Sequence, residues 1–428
     1  MLSESSTIFA VSSGAAPAAI GVIRISGPAA GRSLQQLAGR DFVPRHATVA
    51  KLRGASGETL DEALVLWFPG PSSATGEDCA ELHCHGGRAV LGAVCAALAA
   101  CDGLRPAEAG EFTRRAFANG CIDLAEAEGL ADLLAAETEL QRAAAVANAT
   151  GVLSGKVEQW RTALLELSAQ LEALLDFSDE DDVGQLPESF TWNIEYLARE
   201  IATFLDRPRS DKLREGFRVV LAGPPNSGKS TLFNVLVESE AAITSPIPGT
   251  TRDVIERSVG IMGVPFTFVD TAGLRDQGAE SIEAIGIERA LGEFSKADVI
   301  LWLGNEGVGP PSGWEISARI DTEDCLPKDA PRHRVSAVTG EGLQGLLHDL
   351  VGAARVAMPK PGDAALNARQ SLRLSEARAG LDAAMGQTDL LLIGEELRRV
   401  RLAFDRLIGR ATTEDMLDSL FGRFCIGK

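Results

Sequence analysis

Residues 217–230 read Phe217-Arg218-Val219-Val220-Leu221-Ala222-Gly223-Pro224-Pro225-Asn226-Ser227-Gly228-Lys229-Ser230. The first six have the composition of a buried β-strand, and the last eight form a complete G-x-x-x-x-G-K-[ST] element. In that order they predict a phosphate-binding loop. Gly223 and Gly228 let the backbone curl its N–H groups around a phosphate, Lys229 reaches the β/γ oxygens, and Ser230 offers a hydroxyl to Mg²⁺. The run Thr231-Leu232-Phe233-Asn234-Val235-Leu236 continues as a helix whose positive end faces the anion. A glycine-rich turn can match the spacing by chance, but it would not place strand, loop and helix in register.

Further along, Phe266-Thr267-Phe268-Val269-Asp270-Thr271-Ala272-Gly273 reads as a strand ending in D-T-A-G. Asp270 can hold Mg²⁺ through water, and the Gly273 N–H can sense a γ-phosphate. Between the two motifs lies Gly249-Thr250-Thr251-Arg252-Asp253, where Thr251 is the natural second hydroxyl ligand for Mg²⁺ in a switch that orders around triphosphate. Three elements in this order predict a nucleotide hydrolase; a phosphate-binding protein without hydrolysis is the plainer alternative.

GTPases of this kind usually carry N-K-x-D for guanine. Here the corresponding place, before Ser336-Ala337, holds Ala318-Arg319-Ile320-Asp321, so of that signature only the Asp survives. Asp321 can still accept from the guanine N1–H and amine, and the Arg319 plane can stack on a base. The glycine- and proline-rich segment Asn305 to Gly313 supports a remodelled base pocket. Leu274 follows Gly273 where many small GTPases place a water-orienting Gln, which leaves Arg275, Asp276, Glu280 and Glu283 as candidates for that task. A carboxylate is the better group for it.

The 428 residues are enough for two or three domains. The longest apolar stretch, Ala89 to Cys101, falls short of the about 20 residues a membrane span needs, so no membrane association is expected. Seven scattered cysteines suit a reduced, cytoplasmic compartment. The net charge of −19 repels a polyanion, so any nucleic-acid contact must come from a local basic patch. Arg114-Arg115 and the series Arg398, Arg399, Arg401, Arg406 and Arg410 are candidates, although a solvated helix face salted with Glu395 and Glu396 is the simpler reading. Cys79, His83, Cys84 and His85 carry metal-ligating atoms, but alternate residues of a strand face opposite sides, so no closed zinc set is expected.

The composition changes along the chain. Short β-like runs (Gly21 to Ile25, Glu62 to Phe68) and an alanine-rich helix from Arg88 predict an α+β domain over residues 1–121. Long amphipathic helices, among them Asp123 to Ala149 and Gly155 to Leu175, predict a helical domain over 122–213 that resumes over 357–428 after Pro359-Lys360-Pro361-Gly362. Residues 214–356 alternate strands and helices around the phosphate loop. The expected fold is therefore a mixed α/β and α+β multidomain chain, with a doubly wound P-loop domain inserted in a helical one.

The chain resembles the tRNA modification GTPase MnmE (TrmE) family from end to end. The resemblance is carried by Gly21-Val22-Ile23-Arg24-Ile25-Ser26-Gly27, Thr75-Gly76-Glu77-Asp78, His85-Gly86-Gly87, Gly110-Glu111-Phe112-Thr113, Asp123-Leu124-Ala125-Glu126-Ala127-Glu128, Gly249 to Asp253, Ile285-Gly286-Ile287-Glu288-Arg289 and the terminal Phe424-Cys425-Ile426-Gly427-Lys428. It implies a homodimer whose N-terminal domain binds a one-carbon carrier of the 5-formyl- or methylene-tetrahydrofolate type, and whose GTPase domains meet across a K⁺ ion during hydrolysis. It further implies an FAD-dependent partner, MnmG, with which C5 of the wobble uridine of certain tRNAs receives an aminomethyl-type group.

Carried over residue by residue, the resemblance makes Asn226 and Thr250, with the carbonyls of Ser245 and Ile247, the K⁺ ligands, and selects Glu283 as the water-orienting carboxylate. The implied nucleotide set is Gly223, Asn226, Ser227, Gly228, Lys229, Ser230, Thr231, Ser245, Thr250, Thr251, Asp270, Thr271, Ala272, Gly273, Asp321, Ser336 and Ala337. Arg24, Glu81 and Lys428 match the pterin-contacting positions, while Cys121 stands where the family has Lys. Cys425 reads either as a nucleophile whose thiolate adds to uracil C6 or as a small apolar tail residue. Two other functions fit parts of the pattern: a nucleotide-gated scaffold for MnmG with weakened guanine specificity and slow turnover, and a ribosome-assembly GTPase related through its α/β domain only.

Overall fold

The computed structural model describes residues 6–176, 186–238, 242–244, 255–271, 292–323, 325–411 and 414–428. The chain divides into two compact units, Met1–Ala131 with Asp405–Lys428, and Asp132–Phe404.

The first unit is built on a six-stranded sheet in the order β3-β4-β5-β2-β1-β6. The strands are β1 (Thr7–Val11), β2 (Ile20–Ser26), β3 (Thr48–Arg53), β4 (Thr59–Phe68), β5 (Cys79–His85) and β6 (Leu104–Pro106). All neighbours are antiparallel except β1 with β6. The period-2 pleat sorts the side chains of β2: Ile23 and Ile25 enter a core with Leu34, Leu37, Leu91 and Leu98 from the helices Ala30–Ala38 and Arg88–Ala99, while Arg24 emerges on the opposite face. Phe112 joins Ile8, Ala10 and Ala107 in a second apolar cluster. The chain terminus returns to this unit. Ile426 bridges to Ala109, and Ser12 Oγ donates to the Gly427 carbonyl at 2.9 Å. A Cβ at Gly427, whose φ is 97°, would stand 2.3 Å from the Val11 carbonyl oxygen, so only glycine passes there.

In the second unit a helical layer surrounds Trp160, which is 1% exposed. Its ring meets Phe204 edge-on at 5.4 Å and stacks with Phe404 at 6.2 Å, contacts that add about 0.5–1.5 kcal/mol each beyond area burial. The helices Glu188–Leu205 and Ala368–Met385 pack together, and all strands of the second sheet lie between them in sequence, as an inserted α/β domain requires.

That sheet has seven strands in the order β13-β12-β11-β7-β10-β9-β8. They are β7 (Phe217–Ala222), β8 (Ala242–Thr244), β9 (Ile255–Ile261), β10 (Val264–Asp270), β11 (Val299–Trp302), β12 (Trp314–Ala318) and β13 (His333–Val335). β13, β12, β11, β7 and β10 run parallel, and β9 and β8 extend the edge antiparallel. β10 is buried along its whole length, as a strand covered on both faces must be.

One expected helix divides. The predicted run from Asp123 to Ala149 is two helices, Leu124–Ala135 and Glu139–Ala149. Thr138 caps the second, its Oγ1 accepting from the Gln141 N–H at 3.3 Å while Gln141 Oε1 accepts from the Thr138 N–H at 2.9 Å. This capping box ends the first helix although the apolar period continues through it. The second helix then adds Leu140 and Ala144 to the core of the seven-stranded sheet.

Candidate functional site

The strand β7 delivers the chain into the phosphate loop, and its neighbours β10 and β11 supply the walls. Gly223, at φ 150°, lies so close to β11's continuation that a Cβ would stand 3.0 Å from the Gly304 nitrogen. Gly228, at φ 92°, is crossed by the stem of Arg319, 3.2 Å from a would-be Cβ. Both glycines are therefore fixed by backbone conformation and by space.

Lys229 opens the helix Lys229–Glu238, is 6% exposed, and donates from Nζ to the Pro224 carbonyl at 2.7 Å. Ser230 Oγ donates to Asp270 Oδ2 at 2.6 Å. The parallel register of β7 with β10, which sets Leu221 beside Asp270, brings that carboxylate to the loop. Thr271 Oγ1 ties the end of β10 to the Leu221 carbonyl at 2.8 Å. Ser227 is 8% exposed, and among the described residues its buried Oγ has no hydrogen-bond partner.

An orphaned hydroxyl, a buried ammonium, a helix N-terminus and glycine-lined backbone fit a phosphate chain. The adjacent hydroxyl and carboxylate are hard oxygen donors of the kind Mg²⁺ takes. The structure thus brings the loop, Ser230, Asp270 and Thr271 together at the ends of β7 and β10.

The segments that the sequence offers for a base follow β12 and β13. Arg319 has φ 59° and donates from Nη1 to the Asn226 carbonyl at 3.0 Å; expected from the sequence as a stacking plane, its guanidinium engages the phosphate loop here. Asp321 is exposed just beyond it. Ser336 is fully buried, and its Oγ accepts from the Val338 and Thr339 N–H groups at 3.2 and 3.0 Å, which shapes the turn that carries Ala337.

Trp302 organises the segment Asn305 to Gly313. Its Nε1 donates to the Asn305 carbonyl at 2.8 Å, and a Cβ on Gly309 would clash with its ring at 2.5 Å. Behind it Lys328, with a fully buried side chain, pairs with Glu315 and donates to the Trp302 carbonyl at 2.8 Å. This buried ammonium escaped the sequence reading, since Lys328 carries no motif. Thr231 follows Ser230 within the first helical turn. Ser245, Ile247, Thr250, Thr251, Ala272, Gly273 and Glu283, with Arg275, Asp276 and Glu280, lie outside the described residues.

In the first unit, Arg24 donates from Nε and Nη2 to Glu81 Oε1 at 3.1 and 2.9 Å across the β2–β5 ladder and lies 6.0 Å over the Phe112 ring. His83 adds a contact to Glu81 at 3.3 Å. Cys121 lies beside Gly76, where a Cβ would be 2.9 Å from its sulfur, and Lys428 ends the tail held by Ser12 and Ala109. Cys425 is exposed.

Near this pair runs an unpredicted ladder: buried Glu111 takes Arg115 at 2.9 Å and also Arg105, and Arg115 reaches Glu77 at 3.0 Å. Burial alone would raise Glu111, but hydrogen bonds from Arg105, the Glu108 N–H and Arg115 outweigh it and hold the carboxyl below its ordinary range. On β5 the pleat turns Cys84 into the apolar core, where burial pushes its thiol up to about 12, while His85 faces solvent against Asp61. Among the described residues no three His, Cys, Asp or Glu side chains are grouped to hold a metal.

The basic patches are largely neutralised. Arg114 pairs with Asp418 and Glu414, Arg398 with Glu395, and Arg399 with Glu396. Among the described residues no helix is long and apolar enough to cross a membrane.

The model of the GTP-binding protein TrmE N-terminus matches residues 7–121, and that of the MnmE helical domain matches residues 124–425. Among curated relatives, the tRNA modification GTPase MnmE of Erythrobacter litoralis is 60% identical over 99% of this chain and 100% of its own length. That of Novosphingobium aromaticivorans is 60% identical over 99% of both chains, and that of Rhizorhabdus wittichii 52% identical over 100% and 97%. Among solved structures, Aquifex aeolicus Era bound to GDP·AlF4⁻ aligns over 40% of this chain and 68% of its own at 24% identity with a TM-score of 0.25, too low to add to the assignment. With its phosphate loop, its inserted α/β domain and two family models that together run almost end to end, the chain belongs to the tRNA modification GTPase MnmE family.

Proposed function

We propose that this protein is a K⁺-stimulated GTPase that works with an FAD-dependent MnmG-type partner to modify C5 of the wobble uridine of certain tRNAs. The observation that carries this reading is the meeting of Lys229, Ser230 and Asp270 at the loop, in a chain 60% identical over its length to a tRNA modification GTPase.

Each residue has a task. The loop N–H groups and Ser227 bind the phosphates, and Lys229 holds the β/γ oxygens. Ser230 and Thr251 hold Mg²⁺, with Asp270 steadying Ser230. Glu283 orients the attacking water, accepting its proton in a hydrogen bond. Asn226 and Thr250, with the Ser245 and Ile247 carbonyls, would hold K⁺, which when bound would supply positive charge to the phosphates. Asp321, Ser336 and Ala337 face the base.

Arg24, Glu81, Cys121 and Lys428 form the tetrahydrofolate site of the N-terminal domain, through which the protein dimerises. Cys425 is exposed, as a nucleophile toward uracil must be. The protein acts in the cytoplasm, and the domains run over 1–121, 122–213 with 357–428, and 214–356.

Hydrolysis measured in K⁺ and in Na⁺, for wild type, Asn226→Ala and Glu283→Ala, tests the reading. K⁺ should stimulate only proteins that retain Asn226, and Glu283→Ala should be nearly inactive. Equal rates in both cations would contradict it. The scaffold alternative draws on the missing Asn at Ala318, and slow turnover in every cation with poor discrimination between GTP and XTP would favour it.

A further inference from the structure

Among the described residues four non-glycine positions have a left-handed backbone, and two of them touch: Asn226 at φ 62° and Arg319 at φ 59°. Asn tolerates this region, whereas Arg visits it only where its surroundings compensate. The compensation is visible. Gly228 has no side chain, and the Arg319 Cγ and Cδ occupy the space beside it, 3.2 and 3.4 Å from a would-be Cβ. The stem thereby crosses the phosphate loop, and Nη1 reaches the Asn226 carbonyl at 3.0 Å. One residue of the base-binding segment thus holds the peptide of the residue to which the proposed function assigns the K⁺ contact.

We infer that Arg319 is a positioning residue for activation by the monovalent cation. By fixing the Asn226 carbonyl it fixes the rotation of that peptide, and so the direction in which the Asn226 carboxamide leaves the loop. Releasing the carbonyl lets the peptide turn, and the carboxamide oxygen no longer starts in the orientation that captures the ion. The bond is solvent-exposed and charge-assisted, so it contributes little to global stability and its effect belongs in the cation response. Because the same side chain borders the base pocket, occupation of that pocket and capture of the ion become linked. The inference rests on Asn226 being a cation ligand.

The test uses the full-length protein. GTP hydrolysis is followed against KCl at constant ionic strength for wild type, Arg319→Met, Arg319→Lys and Asn226→Ala, with fluorescent GTP affinity measured in Na⁺ buffer and melting temperatures for all four. Arg319→Met keeps the stem over Gly228 and removes the donor; it should raise the K⁺ concentration for half-maximal rate about tenfold, the loss associated with one charge-assisted hydrogen bond. Arg319→Lys should restore most of the wild-type response, melting temperatures should be alike, and Asn226→Ala should respond to no K⁺ concentration. A wild-type K⁺ curve in Arg319→Met, with Asn226→Ala flat, would overturn the inference while leaving the cation site intact. Weaker GTP binding in Arg319→Met with an unshifted K⁺ curve would overturn it in favour of a purely base-stacking role. A wild-type K⁺ curve in Asn226→Ala would remove the cation reading and this inference together.

Discussion

Ser230 Oγ donates to Asp270 Oδ2 at 2.6 Å, joining the helix that follows the phosphate loop to the C-terminal end of β10. Two motifs 40 residues apart in the chain thereby present adjacent oxygen donors. Such a pair suits Mg²⁺, which prefers few protein oxygens and keeps several waters.

Ser230→Ala removes one of these oxygens and takes from Asp270, which is 1% exposed, one of its donors. Phosphate release at saturating Mg²⁺ should fall about 100-fold or more, comparable with losing one preorganised electrostatic contact. A rate within a few-fold of wild type would show that Ser230 holds no metal.

Base recognition should be weak and repairable. Ala318 offers no side-chain hydrogen bond where the signature has Asn, and Asp321 is the one carboxylate of the signature that the sequence keeps. Ala318→Asn should tighten GTP binding about tenfold, and Asp321→Asn should shift preference from GTP toward XTP by at least about tenfold, in line with exchanging one charge-assisted hydrogen bond. Titration with fluorescent GTP and XTP reads both.

The break between the helices Leu124–Ala135 and Glu139–Ala149 depends on Thr138. Thr138→Ala loses the cap and should cost about 1 kcal/mol in chemical denaturation. Since Gln141 Nε2 also donates to the Leu213 carbonyl at 2.8 Å, Gln141→Ala should cost at least as much.

The Glu111 ladder makes the first unit sensitive to acid. A carboxyl held below its ordinary 4.5 contributes stability that is fully present above that value and is lost as pH falls through the lowered one. The melting temperature of wild type should therefore fall on acidification below about pH 4.5. Glu111→Gln should be destabilised by about 3 kcal/mol at neutral pH, as when a buried pair loses one partner, and should show a flatter acid response.

The phosphate loop was legible because its requirements are local: positive-φ glycines, a lysine and a hydroxyl at fixed spacing after a strand. Asp270 was legible for the same reason, and the sheet register then brought it to Ser230. The Arg24 pair with Glu81 spans 57 residues and depends on which strands become neighbours, so only the family resemblance pointed to it. Thr138 and Gln141 do spell a cap, yet the unbroken apolar period across them hid the break. Lys328 and Glu111 are charges buried by their partners, and no periodicity announces a buried charge. Arg319 shows the limit most clearly: its departure from Lys is plain in the sequence, while its grip on the Asn226 carbonyl exists only in three dimensions.

The most direct test of the central claim is mass analysis of wobble uridines in tRNA from cells lacking this protein, complemented with wild type or with Lys229→Ala. Wild type should restore the C5-modified nucleoside, and Lys229→Ala, which removes the ammonium at the phosphate loop, should leave the uridine unmodified. Full modification without the protein, or full restoration by Lys229→Ala, would contradict a GTP-driven role in this modification.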